Sequence, residues 1–136
     1  MINIAHNYAV WEKHFDENVI VHRKGAVRAD VGDIGIIPGS QGTHSYIVEG
    51  LGNPESFLSS SHGAGRAMSR TEAVRTLSLE KEIARLDAQH IVHAIRNTND
   101  LEEAAGAYKD IDDVMERQKD LVKIKTKLCP IAVIKG

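Results

Sequence analysis

The first half of the chain alternates short hydrophobic runs with turn residues. β-branched residues are dense in three runs, Val19 to Ala29, Ile34 to Ile37 and Ser45 to Glu49. Such residues favour pleated strands. The runs are interrupted by Gly25, Gly32-Asp33 and Pro38-Gly39, which are typical of tight turns. The pattern therefore predicts a β-rich first half.

Helical periodicity appears after residue 66. Ser69 is placed to cap a first helix. Farther along, Leu79, Ile83 and Leu86 recur at the spacing of one helix face. These patterns predict two helices, and a loop rich in serine and glycine precedes them.

A third helix is predicted over residues 110–121. Its apolar positions form one stripe, made by Ile111, Val114, Met115 and Leu121. Acidic residues lie early and lysine late in this segment, as the helix dipole favours. Short strands are predicted from Ile91 to Ile95 and in the tail from Lys123 to Gly136, whose apolar end is expected to be buried.

Length and composition place the chain among soluble globular proteins. It has 136 residues, of which 42% are hydrophobic and 26% charged, enough for one core without disulfide or metal support. Aromatic residues make up only 4%, which argues against a module that binds nucleic acid mainly by stacking bases on aromatic rings. We expect a single domain over residues 1–136 with an α+β fold, in which mixed or antiparallel strands are combined with helices after the Gly-rich loop.

The formal net charge of −2 creates no overall attraction for nucleic acid. Contact with RNA would therefore depend on local basic clusters. Two are present, His22-Arg23-Lys24 with Arg28, and Lys119 through Lys127.

Cysteine content and hydropathy bear on the compartment. The single cysteine, Cys129, lies in an apolar run, so we expect a buried core residue in a reducing compartment. No run approaches the about 20 apolar residues of a membrane span, and the first ten residues lack the pattern of a signal peptide. These features predict a cytoplasmic protein without a membrane partner.

Two glycine-rich segments contain candidate chemistry. Ser61 to Arg66 combines backbone N–H groups, an imidazole at His62 and a guanidinium at Arg66, which together could hold a phosphate against a nucleophile. Ile36 to Ser45 joins two predicted strands through small and hydroxyl-bearing residues that would let a ligand approach closely. The alternatives are a structural histidine in an ordinary turn, a plain β-turn, and a surface ion pair for Arg66.

The remaining titratable residues suggest no second site. Five histidines fit no ligand pattern and are expected to bind no metal: His14, His22, His44, His90 and His93. Asp110 and Asp112 stand where carboxylates stabilise a helix N-terminus, so capping is favoured over a role as general base.

Several separated motifs together resemble one family. They are His6-Asn7-Tyr8, Arg23 to Ala26, Gly35 to Ser40, Ser45 to Val48, Gly52 to Phe57, Ser61 to Arg66 with Met68-Ser69-Arg70, Ala107 to Asp112, and Val133 to Gly136. In this order and spacing the chain resembles the C-terminal portion of the RtcB-type RNA ligases. The resemblance covers essentially the whole sequence.

The resemblance implies an enzyme that uses GTP and Mn²⁺ to join RNA ends carrying a 2′,3′-cyclic phosphate or 3′-phosphate to 5′-hydroxyl ends. His62 would be the guanylylated nucleophile, with Arg66 as a donor to phosphate oxygens. The implied nucleotide-binding residues are Asn7, Pro38, Gly39, Ser40, Gln41, Ser45, Gly63, Ala64, Gly65, Tyr108 and Lys135. His6 would bind Mn²⁺.

The sequence also departs from the family pattern. The family places an Asp-x-x-Cys pair and two further metal-binding histidines in a longer segment that precedes the part matched here. Gln41, Ala5 and Ser60 stand where the family usually has Met, His and Cys. The resemblance therefore implies that activity needs the N-terminal portion, supplied in the same polypeptide or as a separate half that completes the metal site.

Two other readings stay open on the sequence alone. One is a pseudo-ligase that binds GTP or RNA without catalysis. The other is an isolated segment that oligomerises to cover a hydrophobic face.

Overall fold

The computed structural model describes residues 2, 4–5 and 7–134. It is an α+β structure dominated by antiparallel strands, which confirms that part of the expected fold class. The strands are β1 (Asn7–His14), β2 (Glu17–Lys24), β3 (Ala26–Arg28), β4 (Ile34–Ile37), β5 (Ser45–Gly50), β6 (Ser59–Ser61), β7 (Val92–His93), β8 (Val122–Leu128) and β9 (Ala132–Val133). The helices are α1 (Arg70–Thr76), α2 (Leu79–Ala88) and α3 (Ile111–Glu116), together with three short 3₁₀ segments.

The first strands form a hairpin that the sequence pattern only partly indicated. β1 pairs antiparallel with β2 from Asn7↔Lys24 to His14↔Glu17. β1 was not predicted from the sequence, although Tyr8, Val10 and Trp11 are residues that favour strands. The predicted run from Val19 to Ala29 is divided between β2 and β3 at Gly25, where a φ of +75° turns the chain.

A three-stranded antiparallel sheet supports the site. Its order is β4, β5, β8, so β5 lies at the centre and the distant strand β8 closes one edge. β3 pairs with β6 in a separate ladder, with Ala26 opposite Ser61. This ladder places the end of β6, and therefore the residues that follow it, beside the turn at Gly25.

The core lies between the three-stranded sheet and α3. Its largest fully buried members include Ile37, Val48 and Ile111. A smaller cluster joins Leu86 of α2 to Ile91 and Ile95. Leu79 and Ile83 pack against that cluster, which confirms the predicted apolar face of this helix.

The third helix is shorter than predicted. It ends at Glu116. Two residues later the side chain of Gln118 turns inward, where its Oε1 accepts from the backbone N–H of Ser61 at 3.0 Å. The chain must then leave the helix to enter β8. The N–H groups of Leu121 and Val122 both donate to the carbonyl of Gln118 and close that turn.

The tail and the cysteine correct two further expectations. Cys129 is exposed, and the side chains of Ile131 and Ile134 are 82% and 96% exposed. β8 is an edge strand, and its residues after Val122 are exposed. Val133 packs partly against the cluster around Leu86, but Ile131 and Ile134 lie at the surface, so the prediction of a buried end is wrong for those two residues.

The first basic cluster is also not what the sequence indicated. Arg23 is only 1% exposed and its guanidinium donates to Glu12 at 2.6 and 2.9 Å. Arg28 pairs with Asp30 and Asp33. Arg23 is therefore a buried structural cation and is unavailable to RNA. In the second cluster, Lys119, Lys125 and Lys127 each pair with a carboxylate.

None of the helices in the described ranges combines the length and the apolar character that crossing a bilayer requires.

Candidate functional site

The segment from Ser61 to Arg66 is fixed mainly by backbone hydrogen bonds. β6 ends at Ser61, and the N–H of His62 donates to the carbonyl of Gly25 at 3.3 Å. The N–H of Ala64 donates to the carbonyl of Pro38 at 3.0 Å. This last bond joins the two glycine-rich segments that the sequence singled out.

Close packing between these segments depends on the absence of side chains. A Cβ on Gly39 would overlap the carbonyl oxygen of His44 and the hydroxyl of Thr43. A Cβ on Gly63 would lie 3.2 Å from the carbonyl oxygen of Pro38. Gly63 thus lets the two segments approach each other, whereas Gly39 lets its own turn fold tightly against Thr43 and His44.

A cavity of about 520 Å³ opens beside these two segments. The predicted site residues that line it are Pro38, Gly39, His62, Gly63, Ala64, Gly65, Arg66 and Tyr108. Its other lining residues are Ile4, Ala5, Val27 and Ile36, none of which was predicted as a site residue because small and apolar side chains carry no chemical signature. The cavity therefore combines one imidazole and one guanidinium with a largely apolar surface.

His62 directly follows β6 and lies beside the turn at Gly25. Its side chain is half-buried. A Cβ on Gly25 would contact the ring, at 3.8 Å from Cδ2 and 3.9 Å from Nε2. Gly25 thus lies directly behind the imidazole, and the hydrogen bond of the His62 N–H fixes the backbone that carries it. The ring is part of the cavity wall.

Arg66 is braced from several sides. Its Nε donates to the carbonyl of Met68 at 3.0 Å and its Nη2 to the carbonyl of Glu102. Its Nη1 donates to Glu103 Oε2 at 3.3 Å and to the hydroxyl of Tyr108 at 3.2 Å. The guanidinium also lies 5.0 Å from the centre of the Tyr108 ring. Arg66 therefore presents a fixed positive charge at the cavity, with most of its N–H groups already engaged.

Glu103 is the residue behind this arrangement that the sequence reasoning missed. The hydroxyl of Tyr108 donates to Glu103 Oε2, and Arg70 Nε donates to Oε1 at 2.9 Å. Burial pushes the pKa of the Glu103 carboxyl upward, but hydrogen bonds from Tyr108 and Arg70 and the charge of Arg66 outweigh it and lower the pKa overall. Burial and the adjacent carboxylate raise the pKa of Tyr108.

The other predicted nucleotide-binding residues lie away from the cavity lining. The Ser40 N–H donates to Thr43 Oγ1 at 2.7 Å and the two hydroxyls lie 2.9 Å apart. Gln41 keeps a buried Oε1 that accepts from no described residue. Ser45 begins β5 opposite Leu128.

Three predicted residues lie near or beyond the ends of the described chain. Asn7 accepts from His22 Nε2 through its Oδ1 at 2.8 Å, on the exposed hairpin. His6 and Lys135 lie outside the described residues, so the proposed metal ligand and one proposed nucleotide contact have no described geometry.

Whether a divalent metal fits this structure depends on which His, Cys, Asp and Glu side chains lie close together. In the described ranges, no three His, Cys, Asp or Glu side chains come together as metal ligands. His14 and His93, for example, are engaged with Glu12 at 2.8 Å and Asp87 at 3.1 Å. Since Mn²⁺ prefers several oxygen or nitrogen ligands, the described residues do not by themselves form its site.

Comparison with known proteins gives the family. The family model described as the tRNA-splicing ligase RtcB matches residues 1–136. The chain belongs to the RtcB family. It is 50% identical over 135 residues to the RNA-splicing ligase RtcB of Escherichia coli K12, and the match covers 99% of this chain and 32% of that relative.

More distant RtcB relatives match over the same span. The tRNA-splicing ligase RtcB of Nanoarchaeum equitans is 40% identical, with 98% of this chain and 33% of the relative covered. The RNA-splicing ligase RtcB of Mycobacterium tuberculosis is 38% identical, with 100% and 36% covered. The chain thus spans about a third of the length of these curated relatives.

Proposed function

We propose that this chain forms the nucleophile-bearing C-terminal segment of a GTP- and Mn²⁺-dependent RNA ligase. It would act in the cytoplasm on RNA ends such as tRNA halves. The observation that carries the proposal is the convergence of His62, the Gly63–Gly65 backbone, Pro38-Gly39 and Arg66 on one cavity in a member of the RtcB family. The family relatives are named as RNA-splicing or tRNA-splicing ligases, and an RNA substrate follows from that membership.

The proposed first step is nucleotidyl transfer to His62. A neutral imidazole nitrogen attacks the α-phosphorus of GTP, the nitrogen–phosphorus bond forms, and the bond to the bridging oxygen breaks as pyrophosphate leaves. The guanylyl group then passes to the 3′-phosphate of RNA and restores the imidazole. Finally, the 5′-hydroxyl of the second RNA attacks the activated phosphate, and GMP leaves with the oxygen that joined it to that phosphate.

The local geometry supports these roles for the chain's own groups. The backbone hydrogen bonds made by residues 62 and 64 already fix the loop, so its backbone does not have to become ordered when substrate binds. The N–H groups of Gly65 and Arg66 donate to no other described residue, which leaves them available for phosphate oxygens. The Arg66 guanidinium adds positive charge where phosphate charge would accumulate.

The remaining contacts are proposed from the family resemblance. Asn7, Ser40, Gln41 and Ser45 would bind the nucleotide, Tyr108 would pack on or beside the base, and Lys135 would reach the guanine. The buried Oε1 of Gln41, which accepts from no described residue, supports a polar ligand or water near that turn.

The proposed metal site must be shared with residues beyond the described ones. His6 is the ligand that the resemblance implies here, and one histidine cannot hold a hard divalent ion by itself. The other ligands would come from the N-terminal part of a family ligase, in the same polypeptide or in a separate partner. No step above is assigned to the metal.

A second candidate is a segment that binds GTP or RNA without chemistry. It is favoured by the state of Arg66, whose charge is already paired with Glu103 and whose guanidinium donates to two backbone carbonyls. A guanidinium used in this way could shape a binding wall without serving catalysis.

The deciding experiment is incubation with α-³²P-labelled GTP and Mn²⁺, with and without a separately supplied N-terminal RtcB half, followed by denaturing electrophoresis. Label on the chain that disappears in His62→Ala and persists in His90→Ala supports the proposal. His90 is a suitable control because it is exposed at the turn after α2. GTP binding without covalent label, even with the added half, would favour the second candidate.

A further inference from the structure

Glu103 connects two cavity-lining side chains to a residue outside the cavity. It ends the 3₁₀ segment Thr98–Glu103 and does not itself line the cavity. Its Oε2 accepts from the Tyr108 hydroxyl and from Arg66 Nη1, and its Oε1 accepts from Arg70 Nε. Both carboxylate oxygens are therefore used.

The connection sets the geometry of the wall. In the described part of the chain, Glu103 is the carboxylate that pairs with Arg66. Arg66 in turn lies over the ring of Tyr108 and forms an isolated β-bridge with it. Without the carboxylate, Nη1 would keep only the Tyr108 hydroxyl, and that hydroxyl would lose its acceptor.

The carboxylate is also the charge that balances the cluster. Arg66 and Arg70 bring two positive charges to one anion. Glu103 is about a quarter exposed, at 28% for its side chain, so the pair is only partly screened by water. Replacement by a neutral side chain would leave the two cations to repel each other next to the cavity.

We infer that Glu103 is a positioning residue that holds Arg66 and Tyr108 in one arrangement against the nucleotide. The inference rests on the proposed function for its catalytic consequence. The contact that it names between Glu103 and Tyr108 can be tested independently of any reaction. Glu103 does not line the cavity in which the reacting phosphate is proposed to bind.

The kinetic test uses Glu103→Gln in the labelling assay, with the N-terminal half added if the wild-type chain requires it. We expect the maximal rate of His62 labelling to fall about 10- to 100-fold, because misplacement of a charged donor by a fraction of an ångström weakens transition-state stabilisation. The KM for GTP should change less than about 3-fold, because the backbone contacts that bind phosphate are retained. Glu72→Gln, on the exposed face of α1, is the charge-matched control.

A double substitution separates positioning from general destabilisation. If Glu103 acts partly through Tyr108, Tyr108→Phe should reduce the labelling rate by a much smaller factor in the Glu103→Gln chain than in the wild-type chain. An equal reduction of the labelling rate in the wild-type and Glu103→Gln chains would overturn the inference. Tyr108→Phe also gives a usable comparison if Glu103→Gln does not fold.

The last measurement works even if no labelling is ever seen. NMR titration of ring-labelled tyrosines, with Tyr108→Phe to assign the signal, reports the pKa of Tyr108. Removal of the adjacent anion in Glu103→Gln should lower that pKa, whereas Glu72→Gln should not. An unchanged pKa of Tyr108 would overturn the inference. Failure of the wild-type chain to label would count against the proposed function alone.

Discussion

Replacement of Glu12 by Gln should destabilise the hairpin strongly and in a pH-dependent way. Glu12 is the counter-ion of Arg23, whose side chain is 1% exposed, and the pair is bidentate at 2.6 and 2.9 Å. Arg23 also donates to Ser59 Oγ and to the carbonyl of Phe57, both at 2.8 Å. The hairpin is thus joined to β6 and to the segment before it through one buried cation. Glu12→Gln would leave that cation without its charge partner.

The magnitude follows from the pKa of Glu12. Hydrogen bonding to Arg23 is the largest influence, and it outweighs burial to lower the pKa from 4.5 to about 2, with His14 contributing in the same direction. A carboxyl with a lowered folded-state pKa stabilises the fold above its unfolded pKa, and the effect is lost as the pH falls toward the folded value. The difference corresponds to about 3 kcal/mol at pH 7, near the lower end for breaking a buried ion pair.

The assay is urea unfolding followed by far-UV circular dichroism, with the free energy of unfolding obtained by linear extrapolation. The free energy of unfolding should be higher for the wild-type chain than for Glu12→Gln by about 3 kcal/mol at pH 7, and by only about 1 kcal/mol near pH 3. Glu17→Gln, an exposed change of the same charge in the same hairpin, should cost little at either pH. A gap below about 1 kcal/mol at pH 7, or one of equal size at both pH values, would refute the role assigned to this pair.

Three further substitutions test the packing around the site. Ser60→Ala should raise the urea midpoint by the equivalent of about 1 kcal/mol, because the Ser60 hydroxyl is buried and bonds to no described residue; a fall in the midpoint would contradict this. Gly39→Ala should cost at least about 2 kcal/mol in the same assay because its Cβ would overlap backbone, whereas a cost close to zero would mean that the turn can move. Tyr46→Phe should cost about 1–2 kcal/mol, since the Tyr46 hydroxyl donates to Asp112 from a residue that is 3% exposed; an unchanged midpoint would show that this bond adds nothing.

The sequence predicted those parts of the fold whose signals are local. Ser69 caps α1 through its hydroxyl as predicted, and Leu86 packs at the centre of the face predicted for α2. Capping and periodicity depend only on neighbours within a few residues, so they can be read from a short window. The end of the third helix could not, because the residues that follow it are held by a tertiary contact between Gln118 and Ser61, which lie far apart in the sequence.

The candidate site likewise has parts that the sequence predicted and parts that only tertiary contacts reveal. The glycine-rich segments have local signatures, and the bond from Ala64 to Pro38 brings them together as close packing of small residues would suggest. Glu103 and the apolar lining carry no local signature, because their importance comes from tertiary contacts alone. Arg23 was misread for a related reason: a basic residue in a charged run is usually solvated, and only the register of β1 on β2 places it opposite Tyr8 and within reach of Glu12.

The cavity wall is built by two different means, and this has consequences for how substitutions act. The loop from Ser61 to Arg66 is fixed by backbone hydrogen bonds from residues 62 and 64, so side-chain changes elsewhere should leave its backbone in place. The Arg66–Tyr108 part is fixed by side chains that meet at one carboxylate. Damage to the first part requires a change at a glycine such as Gly39 or Gly63 and should reduce stability and activity together. Damage to the second should reduce the rate of the proposed reaction while the fold is largely retained, and the two classes of variant can be separated by measuring unfolding and labelling on the same protein.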